Sequence, residues 1–309
     1  MQHFLQSEPW MRFQESLDRE VISDKGFDWS YNAYLEKGSG NTRLYTPYGP
    51  SLTAPEAFPD ALVSLKKKAA EHRATFIRIE PTDQLDPATL TSLGFKPVTY
   101  QQLNPTHTLV LDLTRSSEEI LSDMSQNSRN LTRNYASKGL IFSQSQKPED
   151  ITILTSLLHK VAARNNITPH SDSYFEKQAK ALFPLDAARL FFMSLQDQPI
   201  AAALVYDSPT TRYYAHAAAD DDYRKLSAGT ALVGQMILDA KSRGLLQFDL
   251  YGIAPPDDPN HPWTGFTKFK KSFGGTEVTY GGAWDLPLKP LPYYGYRLYQ
   301  SLRHLSKVR

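Results

Sequence analysis

Residues 211–252, TRYYAHAAADDDYRKLSAGTALVGQMILDAKSRGLLQFDLYG, contain a strand pattern, a helix pattern and a second strand pattern in succession. The runs TRYYAHAAA and LQFDLYG have the length and aromatic content of strands. Between them, apolar side chains recur every three or four residues until Gly244, as in a helix that packs one face on a core. This order predicts a βαβ crossover, the building unit of an α/β layer.

The rest of the chain continues this alternation of strands and helices. Strands are predicted for ARLFFMSL, IAAALVYD, HTLVLDL and ATFIRIEP, and a hairpin is predicted for SYNAYLEK with TRLYTPYGP. Helices are predicted for Pro55–Arg73, for the segment from the capping box Ser116–Glu119 to Gly139, and for SYFEKQAKALF.

Length and composition limit the classes of protein to which the chain can belong. Its 309 residues, 40% of them hydrophobic, suffice for two cores and are too many for one small fold. The net charge of +1 gives no overall attraction to nucleic acid, and DNA is not expected as a partner. Because the chain has no cysteine, a disulfide framework, a thiol nucleophile and Cys-ligated metal sites are excluded. No nucleophile elbow, phosphate loop or metal-ligand spacing of histidines occurs, so no metal is expected.

The sequence also bears on cellular location. The N-terminus, MQHFLQSEPW, lacks the basic and apolar regions of a signal peptide. No apolar run approaches the roughly 18 residues of a membrane span. We therefore expect a soluble, cytoplasmic protein.

The C-terminal part combines a proline-rich loop with a basic segment. APPDDPNHPW, residues 254–263, has four prolines in ten positions and cannot continue a helix or a central strand. From His261 to Arg309 the chain then carries eight Lys and Arg against two Asp and Glu, a net charge of +6. Such a segment offers a local basic surface, which would bind a polyanion with an affinity that falls as salt rises.

Within this segment, GFTKFKKSFGG is the most informative stretch. Phe266, Phe269 and Phe273 recur at helical spacing and are expected to bury one face of a helix. A lysine held among these rings, above all Lys270, would act strongly on a phosphate, a carboxylate or a developing oxyanion. The alternative is a solvated lysine face on an ordinary amphipathic helix.

A second motif lies just before the central helix. Arg224-x-x-Ser227-x-Gly229 resembles a degraded form of the loop with which GNAT acetyltransferases hold a pyrophosphate at a helix N-terminus. Ser227 would alternatively be a simple N-cap.

Eight short motifs occur in a specific order: QSEPW, LYTPYGP, FIRIEP, LVLDL, SRNLTRNYASKGL, RNNITPHSDSYF, DLYGI and FKKSFGG. In these the chain resembles the FemABX family of peptidyltransferases over nearly its whole length. The resemblance implies an α/β (α+β) fold of two GNAT-like domains, with mixed sheets flanked by helices and a cleft between them. It places one domain at 1–105 plus 282–309 and the other at 106–281. No coiled-coil arm is evident, as in the compact, FemX-like branch.

The resemblance also implies a reaction and its partners. An amino acid would move from aminoacyl-tRNA to the stem peptide of a UDP-linked or lipid-linked muropeptide, without a cofactor beyond this co-substrate. Phe269 and Lys270 match the catalytic motif, in which the lysine stabilises charge as an amine attacks the aminoacyl ester. A monomer is expected, and peripheral contact with the inner face of the membrane is left open.

The substrate-binding motifs are matched with changes. The family's Thr-x-Arg-x-x-x-Tyr stretch falls on Thr168, His170 and Tyr174, so a histidine stands where an arginine would bind phosphates. A phosphate-binding lysine falls on Gln14, with Arg12 as a nearby substitute, and an acceptor-site tyrosine falls on His216, while Tyr214 is retained. Either the acceptor differs or neighbouring residues compensate.

Two carboxylates complete the candidate site. Glu80 in FIRIEP matches an acid of the family site, where it would orient an amine, or it would form an ion pair with Arg78. Asp249 in DLYGI is expected to cap the loop after its strand.

Two other functions are compatible with the sequence. The motif at Arg224 supports a GNAT-type N-acyltransferase that uses acyl-CoA. The altered phosphate contacts support a non-catalytic muropeptide-binding module.

Overall fold

The structure, a computed structural model, describes residues 2–38, 40–82, 85–101, 103–165 and 168–307, with the backbone alone at 165 and 303–307. Its strands are β1 (Val21–Lys25), β2 (Trp29–Gly38), β3 (Asn41–Thr46), β4 (Ser51–Leu52), β5 (Phe76–Ile79), β6 (Lys96–Pro97), β7 (His107–Asp112), β8 (Leu140–Ser145), β9 (Ala188–Leu195), β10 (Gln198–Asp207), β11 (Thr211–Ala219), β12 (Gln247–Gly252), β13 (Thr276–Thr279) and β14 (Trp284–Pro287). Its α-helices are α1 (Glu8–Ser16), α2 (Phe58–Glu71), α3 (Pro87–Ser92), α4 (Ser117–Asp123), α5 (Gln126–Asn134), α6 (Ile151–Asn165), α7 (Asp172–Leu182), α8 (Ala228–Ser242), α9 (Thr264–Lys271) and α10 (Pro290–Lys307).

The chain divides into two compact units. The first contains residues 1–106 and 279–309, and the second contains residues 107–278. The domain boundaries that the resemblance implies are 1–105 with 282–309 and 106–281. They stay a prediction, because compactness alone does not show that a part folds by itself.

The sheet of the first unit has the strand order β1-β2-β3-β5-β14-β6, with β4 beside β2. The predicted hairpin is β2 with β3, and β3 pairs in parallel with β5 after the chain crosses through α2. One face of α2 is buried in a core formed with strand residues such as Leu44 and Ile77. The C-terminal strand β14 returns to pair with β5, so both ends of the chain build this unit.

The sheet of the second unit has the order β13-β7-β12-β11-β10-β9-β8. β11 and β12 are parallel and are joined through α8, which confirms the βαβ crossover predicted from residues 211–252. The buried face of α8 packs against the sheet. At Gly234 a Cβ atom would lie 1.9 Å from the Thr132 hydroxyl, so α5 can approach α8 only because this position has no side chain.

One predicted helix is divided in the structure. The capping box of Ser116 and Glu119 starts α4 as expected, but α4 ends at Asp123 instead of continuing to Gly139. Ser125 interrupts it, because its hydroxyl caps a new helix, α5, at Ser128 N while its own N–H donates to Ser272 O at 2.8 Å. The caps at Ser116 and Ser125 therefore define two short helices where one helix ending at Gly139 was predicted.

Both units consist of mixed sheets flanked by helices, which is the expected α/β class. The strand β1, which pairs with β2, was not predicted from the sequence. In the described ranges, no helix is both long enough and apolar enough to cross a bilayer.

Candidate active site

The proline-rich loop after β12 leads into α9, which carries Lys270. Thr267 fixes the start of this helix, because its hydroxyl accepts from Ala254 N at 2.8 Å and donates to Trp263 O at 2.9 Å. One turn later on the same side, the half-buried Lys270 Nζ donates to Gly252 O at the end of β12, at 2.6 Å. The ammonium is thus held by the backbone of the sheet.

Aromatic rings hold the other end of this helix. Phe273 is fully buried in the core of the second unit, and Phe269 packs edge to face on it with ring centroids 5.3 Å apart. The expectation that Phe266 shares this buried face is wrong, since 64% of its surface is exposed. Phe266 lies in the first turn of a helix of only eight residues, where Thr267 occupies the buried position.

Asp249 is the charged group that acts on Lys270. Burial raises the pKa of Asp249 to about 6, against the opposing effects of hydrogen bonds from Thr108 and from Tyr251 N and of the Lys270 charge. Burial lowers the pKa of Lys270 to about 8, and the negative charge of Asp249 partly opposes this shift. Near neutral pH the lysine is therefore mostly an ammonium and the aspartate mostly a carboxylate.

The end of β12 has an unusual backbone that sets this geometry. The pairing of β12 with β7 shifts register between Asp249 and Gly252, and Tyr251 adopts a left-handed φ of +64°. Asp249 Oδ1 accepts from Tyr251 N at 2.6 Å, but both residues lie within β12, so this bond is not the predicted cap of the loop after the strand. Strain of this kind is common at functional sites. The sequence did not reveal the roles of Thr108, Tyr251 and Gly252.

A second cluster in the same unit joins three of the predicted acceptor-binding residues. The exposed ring of His170 stacks on Tyr174, with centroids 4.2 Å apart, and lies edge-on to His216 at 5.9 Å. His216 also packs against Phe175 and lies 3.1 Å from the hydroxyl of Tyr206 through Nε2. Burial, and secondarily the charge of His170, lowers the pKa of His216 to about 3. His216 is therefore neutral at physiological pH.

The remaining predicted residues of this group lie differently. Thr168 is exposed, two residues before His170. One residue separates Tyr214 from His216, and the register between β10 and β11 shifts at this point. Because of this irregularity, the side chains of Tyr214 and His216 do not have the same surroundings, although regular alternation would place them on one face of the sheet. Tyr214 packs against the hydrophobic core of the unit, whereas His216 contacts Phe175 of α7.

Arg12 belongs to the first unit. It lies exposed on α1 and pairs with Glu8 at 2.6 Å, an ordinary i, i+4 ion pair on a helix surface. Gln14, at the position of the family's lysine, is buried and accepts from Arg19 at 2.5 Å.

Glu80 lies buried in the first unit, beside a small cavity lined also by Tyr48 and Tyr280. Its Oε2 accepts from Tyr45 and from Asn104, both at 2.6 Å, while its buried Oε1 has no hydrogen-bond partner among the described residues. Burial raises the pKa of Glu80. An ion pair with Arg78 is not formed, because Arg78 is bound to Asp285 instead.

The motif before α8 differs from an N-cap. Ser227 adopts a φ of +55°, and its hydroxyl makes no capping hydrogen bond to α8. Its N–H donates to Arg224 O at 3.1 Å at the end of a short 3-10 turn. The interpretation of Ser227 as a side-chain cap is therefore wrong.

The described residues also contain no group of three or more His, Asp or Glu suited to a metal ion.

Comparison with known proteins identifies the family of this chain. The FemAB family model matches residues 82–192 and 185–301. The chain belongs to the FemAB family. The match confirms the resemblance that the ordered motifs indicated. Within residues 107–278 of this FemAB protein, the longest described helices are α6 and α8, with 15 residues each.

A relative of known name and two solved structures are also similar to this chain. The lipid II:glycine glycyltransferase of Staphylococcus epidermidis is 24% identical over 153 residues, 46% of this chain and 36% of that enzyme. The match thus spans little more than a third of that relative's length. The crystal structure of FemX superposes with a TM-score of 0.83 at 18% identity, covering 96% of this chain and 94% of FemX. A tandem GNAT protein from the clavulanic acid biosynthesis pathway gives a TM-score of 0.52 at 14% identity, covering 87% and 83%. These similarities confirm the GNAT-like fold.

Proposed function

We propose that this FemAB protein is an aminoacyltransferase that transfers an amino acid from aminoacyl-tRNA to the stem peptide of a peptidoglycan precursor. Family membership supports the peptidyltransferase class, and the related glycyltransferase acts, by its name, on lipid II. The observation that carries the proposal is the ammonium of Lys270, held half-buried against Gly252 O.

The proposed reaction needs no covalent intermediate. The neutral amine of the stem peptide attacks the carbonyl carbon of the aminoacyl ester, and a C–N bond forms as the bond to the ribose oxygen breaks. The amine loses one proton and the ribose oxygen gains one, so the reaction balances without a further reactant. Because the ester is already activated, the enzyme supplies positioning and charge stabilisation.

Lys270 is suited to stabilise the developing negative charge. Of its three N–H donors, one is bound to Gly252 O, which leaves two for an oxyanion or for the departing ribose oxygen. Its charge depends on Asp249, whose carboxylate raises the pKa of Lys270 against the effect of burial. Phe269 would fix the helix that carries the lysine, through its contact with Phe273.

The acceptor-binding roles are proposed for two groups of residues. In the second unit, His170, Tyr174 and His216 form a joined surface for a muropeptide, with Thr168 and Tyr214 close by in sequence. In the first unit, Oε1 of buried Glu80, which has no hydrogen-bond partner among the described residues, would accept from the attacking amine. Arg12 would contact a phosphate only after releasing Glu8. A cytoplasmic location follows from the proposed use of charged tRNA.

A transfer assay with labelled amino acids tests the proposal. The protein is incubated with mixed charged tRNAs and, in separate reactions, with a nucleotide-linked or a lipid-linked muropeptide. We expect an alkali-stable amide product with at least one acceptor. Acetyl-CoA is offered in parallel, and acyl transfer from acetyl-CoA alone would replace the proposal by the GNAT alternative. Acceptor binding without any transfer would favour the binding module.

A further inference from the structure

The C-terminal helix α10 faces the first unit with polar side chains. Tyr293 is fully buried and donates to Asp285 Oδ2 at 3.3 Å. Tyr296 accepts from Arg43 and donates to Gln101, both at 3.0 Å. This face therefore fixes the helix to its unit through hydrogen bonds.

The opposite face of α10 is apolar and exposed. Leu291, Leu298 and Leu302 are 89%, 63% and 59% exposed, and Tyr294 and Tyr299 are about half exposed or more. The positions 291, 294, 298 and 302 follow one stripe of a helix. Single exposed apolar residues are ordinary, but a continuous stripe marks an interaction surface. An amphipathic helix normally places its leucines against the core, and α10 does the reverse.

Charge indicates what covers this stripe. Three residues of α10 are Lys or Arg, two more lie at positions 289 and 309, and residues 287–309 contain no Asp or Glu. A helix with leucine and tyrosine on one face and basic residues elsewhere has the composition of helices that lie in the headgroup region of a bilayer. Its charge is complementary to anionic lipid. A second copy of the chain is disfavoured as the occupant, because pairing the two stripes would bring like charges together.

We propose that α10 docks on an anionic membrane surface, with Leu291, Leu298 and Leu302 inserted toward the acyl chains. The helix lies along the surface and does not cross it. This inference goes beyond the proposed reaction and does not depend on it, since binding to lipid requires neither tRNA nor muropeptide.

Co-sedimentation of the full chain with vesicles tests the proposal. The probes are vesicles of phosphatidylcholine alone and of phosphatidylcholine mixed with phosphatidylglycerol. We expect preferential binding to the mixed vesicles, release by high salt, and a loss of roughly tenfold or more in affinity for the double variant Leu298→Ser, Leu302→Ser. The matched control is Val63→Ser, which removes an exposed apolar side chain from α2 of the same unit and should bind as the unmodified protein does.

Several results would overturn the proposal. One is that the unmodified protein binds the two kinds of vesicle equally, or binds neither. This result needs no variant. Another is equal loss of binding in the control. A dimer in sedimentation velocity that the double variant abolishes, without vesicle binding, would assign the stripe to a second copy. Transfer to a nucleotide-linked acceptor, measured separately, shows whether the reaction stands when docking fails.

Discussion

Single residues account for most of the proposed chemistry, and Lys270 with Asp249 is the central pair. The ammonium of Lys270 is held by a backbone oxygen, Gly252 O, at 2.6 Å. The aspartate acts through space, and its own orientation is set by Thr108 and Tyr251 N. The charge available for catalysis therefore depends on a residue that need not touch the substrate.

Replacing Asp249 should change the pH dependence of transfer. In the proposed reaction Lys270 acts as an ammonium, and burial lowers its pKa to about 8, so kcat/KM should fall as pH rises through that value. The carboxylate favours the charged lysine, and Asp249→Asn removes this support. We expect the alkaline limb of the pH profile to move to lower pH, whereas the exposed-loop control Asp257→Asn leaves it in place. An unmoved limb in Asp249→Asn would show that Asp249 does not tune the lysine.

A variant of His170 tests whether a phosphate of the acceptor reaches the cluster of His170, Tyr174 and His216. An arginine offers a permanent charge and a bidentate fork, which the imidazole lacks. If the phosphates of the acceptor lie here, His170→Arg should lower the KM for a nucleotide-linked muropeptide roughly tenfold, because a hydrogen bond to a charged group is gained. The measurement is initial rate against acceptor concentration. An unchanged KM would place the phosphates elsewhere.

Among the structural elements, the C-terminal end of α9 depends on the left-handed backbone of the two glycines that follow it. Gly275 has a φ of +98°, and a Cβ there would lie 2.9 Å from Val110 O. Gly275→Ala should therefore lower the free energy of unfolding by about 1–3 kcal/mol through the backbone alone. Gly265→Ala, within α9 where nothing lies within 4 Å, should be neutral or stabilise by up to about 1 kcal/mol. Equal effects in thermal unfolding would contradict this account of the helix end.

The sequence predicted elements better than it predicted their details. The crossover through α8, the hairpin of β2 with β3 and the helix of Lys270 follow from apolar spacing and turn residues. The division of α4 from α5 was missed, because it depends on a contact between Ser125 and the distant Ser272. The exposure of Phe266 was missed for a similar reason, since periodicity does not say which turn of a short helix reaches the core.

The same limit applies to the site. The order of the motifs assigned Lys270 to the catalytic motif and His170 and His216 to substrate binding. The structure brings the two histidine rings together. The Arg78–Asp285 pair, which unites positions over 200 residues apart, has no local signal. The register shift at the end of β12, which orients Gly252 O, likewise depends on the partner strand.

Across the whole molecule, the buried pair of Arg78 and Asp285 joins the N-terminal and C-terminal parts of the first unit. Both side chains are fully buried, and Tyr100 also donates to Asp285 at 2.7 Å. Asp285→Ala leaves a buried guanidinium unpaired and should lower the free energy of unfolding by about 3–5 kcal/mol. Urea unfolding followed by tryptophan fluorescence reports this, since Trp10, Trp29 and Trp284 of the four tryptophans lie in this unit. The exposed control Glu15→Ala should match the unmodified protein, and equal stability of Asp285→Ala would contradict the role of the pair.

The positive charge of Lys270 is central to the proposed reaction, and the most direct measurement of its role is kcat for amide formation by Lys270→Met. Methionine keeps the length and packing of the lysine stem but removes the ammonium. We predict a kcat lower by about 10²-fold or more, with unchanged thermal unfolding, while Lys180→Met on the exposed side of α7 retains full activity. Transfer by Lys270→Met at the rate of the Lys180→Met control would contradict this role.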